Sequence, residues 1–404
     1  MQDKDEPYGF GTRLVRMGRT RTDEQSFVNP PLERGSSVLF PSIGARDAVR
    51  QRPYDQVLTY GLKGGQTHFH LEDAIAEIEG GSRCQIVSTG LAAVTTALFA
   101  YLKGGQHCLM PDSVYGPTRT FLATIGKECG MQVTYYPPTL DEAGLRALAR
   151  DNTTVIYAES PGSHTMEVQD VPMLARVARD IGAKLLMDNT WGLSFFDPFR
   201  HGVDCSIQAG TKYIGGHSDL LLGAIVTNAD EDWQRVRNTA VTLGQYASPD
   251  DCWLALRGLR TLRVRMAEHM RAGLIVARWL EQRPEIVRVL HPALPGAPGH
   301  DLWKRDFTGA CSLFSAELDS RFAYEDMVAM IDSLRLFGIG ASWGGFESLA
   351  LPTTGTVTRT AETDKFKGPL FRLHIGLEDT ADLIADLEKG FAVLNDHAAR
   401  LSIT

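Results

Sequence analysis

From residue 84 to residue 226 the chain alternates short apolar runs with longer two-faced stretches. The runs at 84–87, 107–110, 132–136, 155–158, 185–187, 205–207 and 221–226 have the length and bounding residues of buried strands. An Ala-rich stretch to residue 102 and further stretches after 117, at 141–150 and at 171–181 have the character of helices between them. Repeated strand–helix units predict an α/β fold with a mostly parallel sheet covered on both faces. Ahead of this block, Leu71, Ile75 and Ile78 recur at helical spacing over 68–79, and Gly80-Gly81 stops that helix.

The flanks have a different texture. Residues 1–64 are rich in Arg, Gly, Pro and Ser and predict an extended arm contacting a neighbouring subunit. Residues 65–258 form the α/β domain. A long helical stretch opens at Pro249 and runs to about 285, with Arg on one face and Leu, Val and Met on the other. Beyond it, strands at 310–317 and 371–375 mix with helices at 324–334 and 380–393. Residues 259–404 therefore read as a smaller α+β domain.

Length and composition narrow the function. A chain of 404 residues exceeds one ordinary core, so two domains are expected. A net charge of −8 argues against a nucleic-acid or anionic-membrane partner. The six cysteines contain no CxxC pair and fit buried thiols in a reducing cytoplasm rather than a disulfide frame or a zinc site. The opening Met1-Gln-Asp-Lys-Asp-Glu-Pro7 has no apolar core of a signal peptide, and no run reaches membrane-spanning length.

Candidate chemistry begins at Lys212, in Gln208-Ala-Gly-Thr-Lys-Tyr-Ile-Gly-Gly-His-Ser-Asp219, just before the apolar run 220–226. A lysine entering a core loses pKa and becomes a usable nucleophile or base. Asp188 ends the apolar run 184–187, at the strand end where open α/β sheets place ligands. A Schiff-base lysine and a carboxylate for a pyridinium nitrogen are what a pyridoxal phosphate (PLP) site needs. Gly90 and Leu91 lie in a strand-to-helix turn suited to a phosphate, and Thr211 adds a hydroxyl. Tyr115 is placed to cover a flat ring, and Arg372 sits in an otherwise apolar strand as a fork for a carboxylate. Taken singly, each also fits an ordinary place: a surface lysine, a capping Asp, a packing tyrosine, an Arg paired with Glu378. No GxGxxG or GxxxxGK[ST] run is present, and His68-Phe-His70 lacks further metal ligands.

Together these residues resemble a family. Tyr60-Gly61, Glu159-Ser-Pro-Gly-Ser163, Asp188-Asn-Thr-Trp191, Gln208 to Tyr213, Gly216-His-Ser-Asp219, Arg257-Gly-Leu-Arg-Thr261, His291-Pro-Ala-Leu-Pro-Gly296, Ser342-Trp-Gly-Gly345 and Arg372 to Glu378 are similar to runs in the PLP enzymes of cysteine and methionine metabolism. The runs from Glu159 and Ser342 resemble the bacterial cystathionine β-lyase branch most. The resemblance implies a large domain of the aspartate aminotransferase type and a homotetramer built from dimers. It implies PLP on Lys212, Asp188 at the pyridine nitrogen, Tyr115 over the ring, and Gly90, Leu91 and Thr211 at the phosphate. Arg372, with Ser342 and Trp343, would hold the substrate α-carboxylate, and Tyr60 would reach the neighbouring subunit's phosphate. The implied reaction is α,β-elimination of L-cystathionine to homocysteine, pyruvate and ammonia, with Lys212 and Tyr115 moving protons. A cysteine desulfhydrase, a γ-lyase, a γ-replacement synthase and a non-catalytic binding module are the alternatives. Two positions depart from the wider pattern: Leu62 stands where many relatives have Arg, and Ala209 where γ-acting branches often have Ser. Lys63 is expected to make up part of the missing charge.

Overall fold

The computed structural model describes residues 8–19, 25–361 and 366–401. The opening heptapeptide, read above as lacking a leader, lies outside them. The large sheet contains β1 (Arg83–Val87), β2 (His107–Pro111), β3 (Gln132–Tyr136), β4 (Thr153–Glu159), β5 (Lys184–Asp188), β6 (Cys205–Gln208) and β7 (Gly223–Thr227). Its order is β1-β7-β6-β5-β4-β2-β3. The β6–β5, β5–β4, β4–β2 and β2–β3 pairs are parallel, and only β7 runs against its neighbours β1 and β6. Along β4, Val155 and Tyr157 enter one buried cluster while Ile156 and Ala158 enter the other. Both faces are covered, which is why these strands read as unbroken apolar runs.

The smaller sheet joins β8 (Ile286–Leu290), β9 (Leu313–Leu318), β10 (Leu349–Pro352) and β11 (Leu370–His374) in the antiparallel order β10-β11-β9-β8. Phe314, Ala316, Phe371 and Leu373 fill a third core with the helices over 324–333 and 380–401.

The structure corrects several expectations. The apolar run from 220 is strand only from Gly223, because the Leu222 amide and carbonyl bond back to Thr211 instead of a neighbouring strand. The helical stretch from 249 is two helices, Pro249–Leu259 and Leu262–Leu280. Near the break, Gly258 packs on the chain after Lys212, where an added Cβ would stand 2.5 Å from the Ile214 carbonyl oxygen. The arm is not wholly extended. It carries α1 (Phe10–Arg16) and α2 (Ile43–Arg50), and Leu14 and Met17 are buried in this chain's own main core. Their apolar pair is too short to stand out among the surrounding Arg and Gly. The helix Asp230–Thr242 and strands β8 and β10 escaped the pattern reading. The helix is legible in retrospect: Trp233, Val236 and Ala240 share its buried face, and three acidic residues suit its first turn.

Two further helices set up the site. α3 (Gln66–Glu79) and α4 (Gly90–Tyr101) flank β1. Buried Glu79, at the end of α3, takes hydrogen bonds from Asn189, Ser206 and Gln208 at 2.6–3.2 Å. This knot ties α3 to the ends of β5 and β6, beneath the residues of interest.

Candidate active site

The carboxyl ends of β4, β5 and β6 converge. Glu159 and Asp188 are register partners at the ends of β4 and β5. The chain leaving β6 coils tightly, with Lys212 N–H donating to Ala209 O at 3.0 Å and Gly216 N–H to Lys212 O at 2.7 Å. This coil turns the Lys212 side chain into the cleft, where Nζ donates to Ser342 Oγ at 2.5 Å and lies 5.3 Å from the Trp343 ring centre. Burial, then the Arg372 charge, pushes the Lys212 ammonium down to about 8, against the opposite pull of Asp188.

Asp188 accepts the Thr190 N–H at 3.0 Å. Burial pushes its carboxyl above the usual range, while the Thr190 hydrogen bonds and Lys212 pull it down. Thr190 also accepts the Ala209 N–H at 2.9 Å, so one threonine links the acid and the lysine coil. Sequence reading passed over it, although it lies two residues past an acidic strand end.

Arg372 projects from β11 and donates to Ser342 O at 3.0 Å. Its presumed partner Glu378 is occupied elsewhere, accepting from the Ser348 N–H and hydroxyl at 2.8 Å. Burial lowers Arg372 to about 10. Tyr115 leads into α5 (Gly116–Phe121), and its N–H donates to Glu159 Oε2 at 2.7 Å. Burial and then Asp188 and Glu159 push the Tyr115 phenol up. Glu159 itself is held well above the carboxylate range by burial and Asp188. It is a site residue that the sequence displayed in its Glu-Ser-Pro run but that was not singled out for a role.

At the other wall, α4 begins at Gly90. A Cβ there would stand 2.6 Å from the Ala209 Cβ, so the first turn of α4 lies against the lysine coil. Thr89 caps the helix by accepting the Ala92 N–H at 3.0 Å. The first amides, including those of Gly90 and Leu91, have no acceptor within the helix and are available to an anion. The Thr211 hydroxyl accepts the Leu222 N–H at 2.9 Å and donates to Leu222 O at a longer 3.3 Å. Its proton, rather than its lone pair, is the part that can be redirected.

The structure thus brings Lys212, Asp188, Tyr115, Arg372, Ser342 and Trp343 to one cleft, with Gly90, Leu91 and Thr211 along its edge. Tyr60 is different. It precedes the short turn Gly61–Lys63 with an exposed ring and donates no hydrogen bond to the cleft among the described residues. Lys63 contributes its carbonyl to Arg237 at 2.6 Å. No group of acidic, His or Cys side chains suited to a metal occurs among the described residues.

A family model for Cys/Met metabolism PLP-dependent enzymes matches residues 11–392. The chain belongs to this family. It is 45% identical to a putative cystathionine beta-lyase of Rhizobium johnstonii over 97% of this chain and 99% of that protein. It is 41% identical to cystathionine beta-lyase MetC of Escherichia coli, over 94% and 98%. A crystal structure of cystathionine gamma synthase from Xanthomonas oryzae in complex with cystathionine matches with a TM-score of 0.88 at 30% identity, over 97% and 100%.

The cofactor of this family is pyridoxal 5'-phosphate, and the residues present fit it. The close approach of Gly90 to Ala209 leaves unpaired helix amides beside the lysine coil, as a phosphate requires. Asp188, disfavoured as a buried carboxylate, gains from a protonated ring nitrogen. Lys212, pushed down to about 8, gives up its proton far more readily than an ordinary lysine, which favours Schiff-base formation.

Proposed function

We propose that this chain is a carbon–sulfur lyase that cleaves the Cβ–S bond of L-cystathionine. With one water consumed, the products are homocysteine, pyruvate and ammonia. The observation that carries this reading is the Ser342 bridge. It joins Lys212 Nζ at 2.5 Å and Arg372 at 3.0 Å, so a base and a carboxylate anchor face the same small space. The names of the relatives just given support the choice of sulfur substrate.

The roles follow from the chemistry of each group. Lys212 would carry the cofactor, Asp188 would keep its ring nitrogen protonated, Tyr115 would cover the ring, and Gly90, Leu91 and Thr211 would hold the phosphate. Bound PLP supplies the electron sink for charge left at Cα. Arg372 takes the substrate α-carboxylate in its fork, with Ser342 and Trp343 beside it. Lys212 would remove the Cα proton. The departing thiolate is protonated by Lys212 or Tyr115. Glu159 holds the Tyr115 backbone and with it the ring.

The assembly we infer is a homotetramer of dimers in a reducing cytoplasm, which suits six free cysteines, five of them buried. Among the described residues, no helix is long and apolar enough to cross a membrane. The arm would lie on the neighbouring subunit and bring Tyr60 to its phosphate.

The decisive experiment identifies the keto acid released from L-cystathionine by the PLP-loaded protein. Pyruvate is expected. 2-Oxobutyrate would mean Cγ–S cleavage and would move the chain to a γ-acting branch. Neither acid from a protein that still shows bound-cofactor colour would point to replacement chemistry or another substrate.

A further inference from the structure

Arg372 and His374 are two residues apart on β11, so their side chains share one face. Both grip the same turn. Arg372 holds Ser342 O at 3.0 Å, while His374 Nε2 lies 3.2 Å from Gly344 N and 3.1 Å from Gly345 O. That turn has Ser342 at φ 84° and Gly344 at φ 87°. A side chain disfavours such a backbone, so Ser342 must be held there by its surroundings. The turn also sits on the lysine itself: a Cβ on Gly344 would stand 3.0 Å from Lys212 Cα.

The His374 ring is held from both ends. Ser312 Oγ donates to Ile375 O at 2.6 Å, which uses its only proton. His374 Nδ1 lies 3.3 Å from Ser312 Oγ. His374 Nε2 meets the turn at two points, accepting the Gly344 N–H in one tautomer and donating to Gly345 O in the other. Burial and the neighbouring His269 hold the ring neutral down to about 3. A neutral ring is therefore available at every pH at which the protein works.

We propose that His374 is a positioning residue for Lys212: by hydrogen bonding through Nε2 to the Gly344-Gly345 backbone it fixes the turn that presents Ser342 to Lys212 and Arg372. The idea rests on the reading of Lys212 as the cofactor-bearing lysine. His374 touches neither substrate nor cofactor in this role. It acts through Ser342.

The test compares His374→Asn, too short to reach Gly344, with His374→Gln, whose terminal amide can replace Nε2. Two readouts are taken on the PLP-loaded protein: kcat/KM, and the pH midpoint of the visible absorption of the bound cofactor. His374→Asn is expected to lower kcat/KM on the order of 100-fold, the effect of misplacing a reacting group by about 1 Å. It should also displace the absorption midpoint, and His374→Gln should recover most of both changes. In a Ser342→Ala background, His374→Asn should cause little further loss, because coupled residues are not additive. Multiplying losses, or wild-type values for His374→Asn, would overturn the proposal. If His374→Asn does not fold, Ser312→Ala frees the other end of the ring. An unchanged rate and midpoint in that variant would equally overturn it. A wild-type protein that yields no pyruvate would remove the lyase reading alone, since the absorption midpoint still reports on the turn.

Discussion

Lys212 feels neighbours of unlike sign. Arg372 pushes its pKa down and Asp188 pulls it up, on top of a larger downward push from burial. The consequence is measurable in the cofactor-free protein. Lys212 should be half-acylated near pH 8, against about 10.4 for an ordinary lysine, with peptide mass spectrometry as the readout. Asp188→Asn should move that midpoint lower and Arg372→Leu should move it higher. Movement in the opposite sense would mean that the two charges do not reach the lysine. Both Lys212 and Asp188 stood out in the sequence, because a charge beside an apolar run is conspicuous. Thr190, Glu159 and His374 did not. Their roles are hydrogen bonds to backbone atoms of segments distant in sequence, and nothing in residue type or spacing announces such a bond.

Among the elements, the first turn of α4 and the coil after β6 meet with no room to spare. Gly90→Ala would place its methyl against the Ala209 side chain at 2.6 Å. Both groups sit on well-packed backbone, so the turn must shift away from the phosphate position. Cofactor retention on dialysis should fall about 10-fold or more, as expected for the loss of one charge-assisted hydrogen bond. Adding Ala209→Gly removes the opposing methyl and should restore retention. Failure of that rescue would place the phosphate elsewhere. The strands themselves were legible because both faces of the sheet are covered, which makes their composition unmistakable. The boundaries at Gly223 and at residues 260–261 were not. There the outcome depends on distant partners: Thr211 bonds the Leu222 backbone in one case, and Gly258 packs closely on the chain after Lys212 in the other.

At the scale of the whole molecule, the arm divides in two. Its first helix and the residue after it bury Leu14 and Met17 in the same chain, yet Phe27 and Leu39 further along are 95% and 94% exposed. Apolar side chains left in water along an arm mark a contact surface. Replacing Phe27 and Leu39 together by Ser should reduce the mass seen by sedimentation and weaken PLP retention, as Tyr60 loses its place on the neighbour. Lys63→Ala should weaken retention without changing the mass. An unchanged assembly in the double variant would remove the arm from the interface. The sequence by itself determined the α/β class, the strand–helix rhythm and the identity of most cleft residues, because burial and unusual chemistry both leave local marks. Only the tertiary structure decided which of those residues meet. Lys212, Ser342 and Arg372 come from separate elements of two sheets, and their contacts of 2.5 and 3.0 Å depend on how those sheets pack. Packing of that kind depends on the shape of many side chains at once, which no single stretch of sequence records.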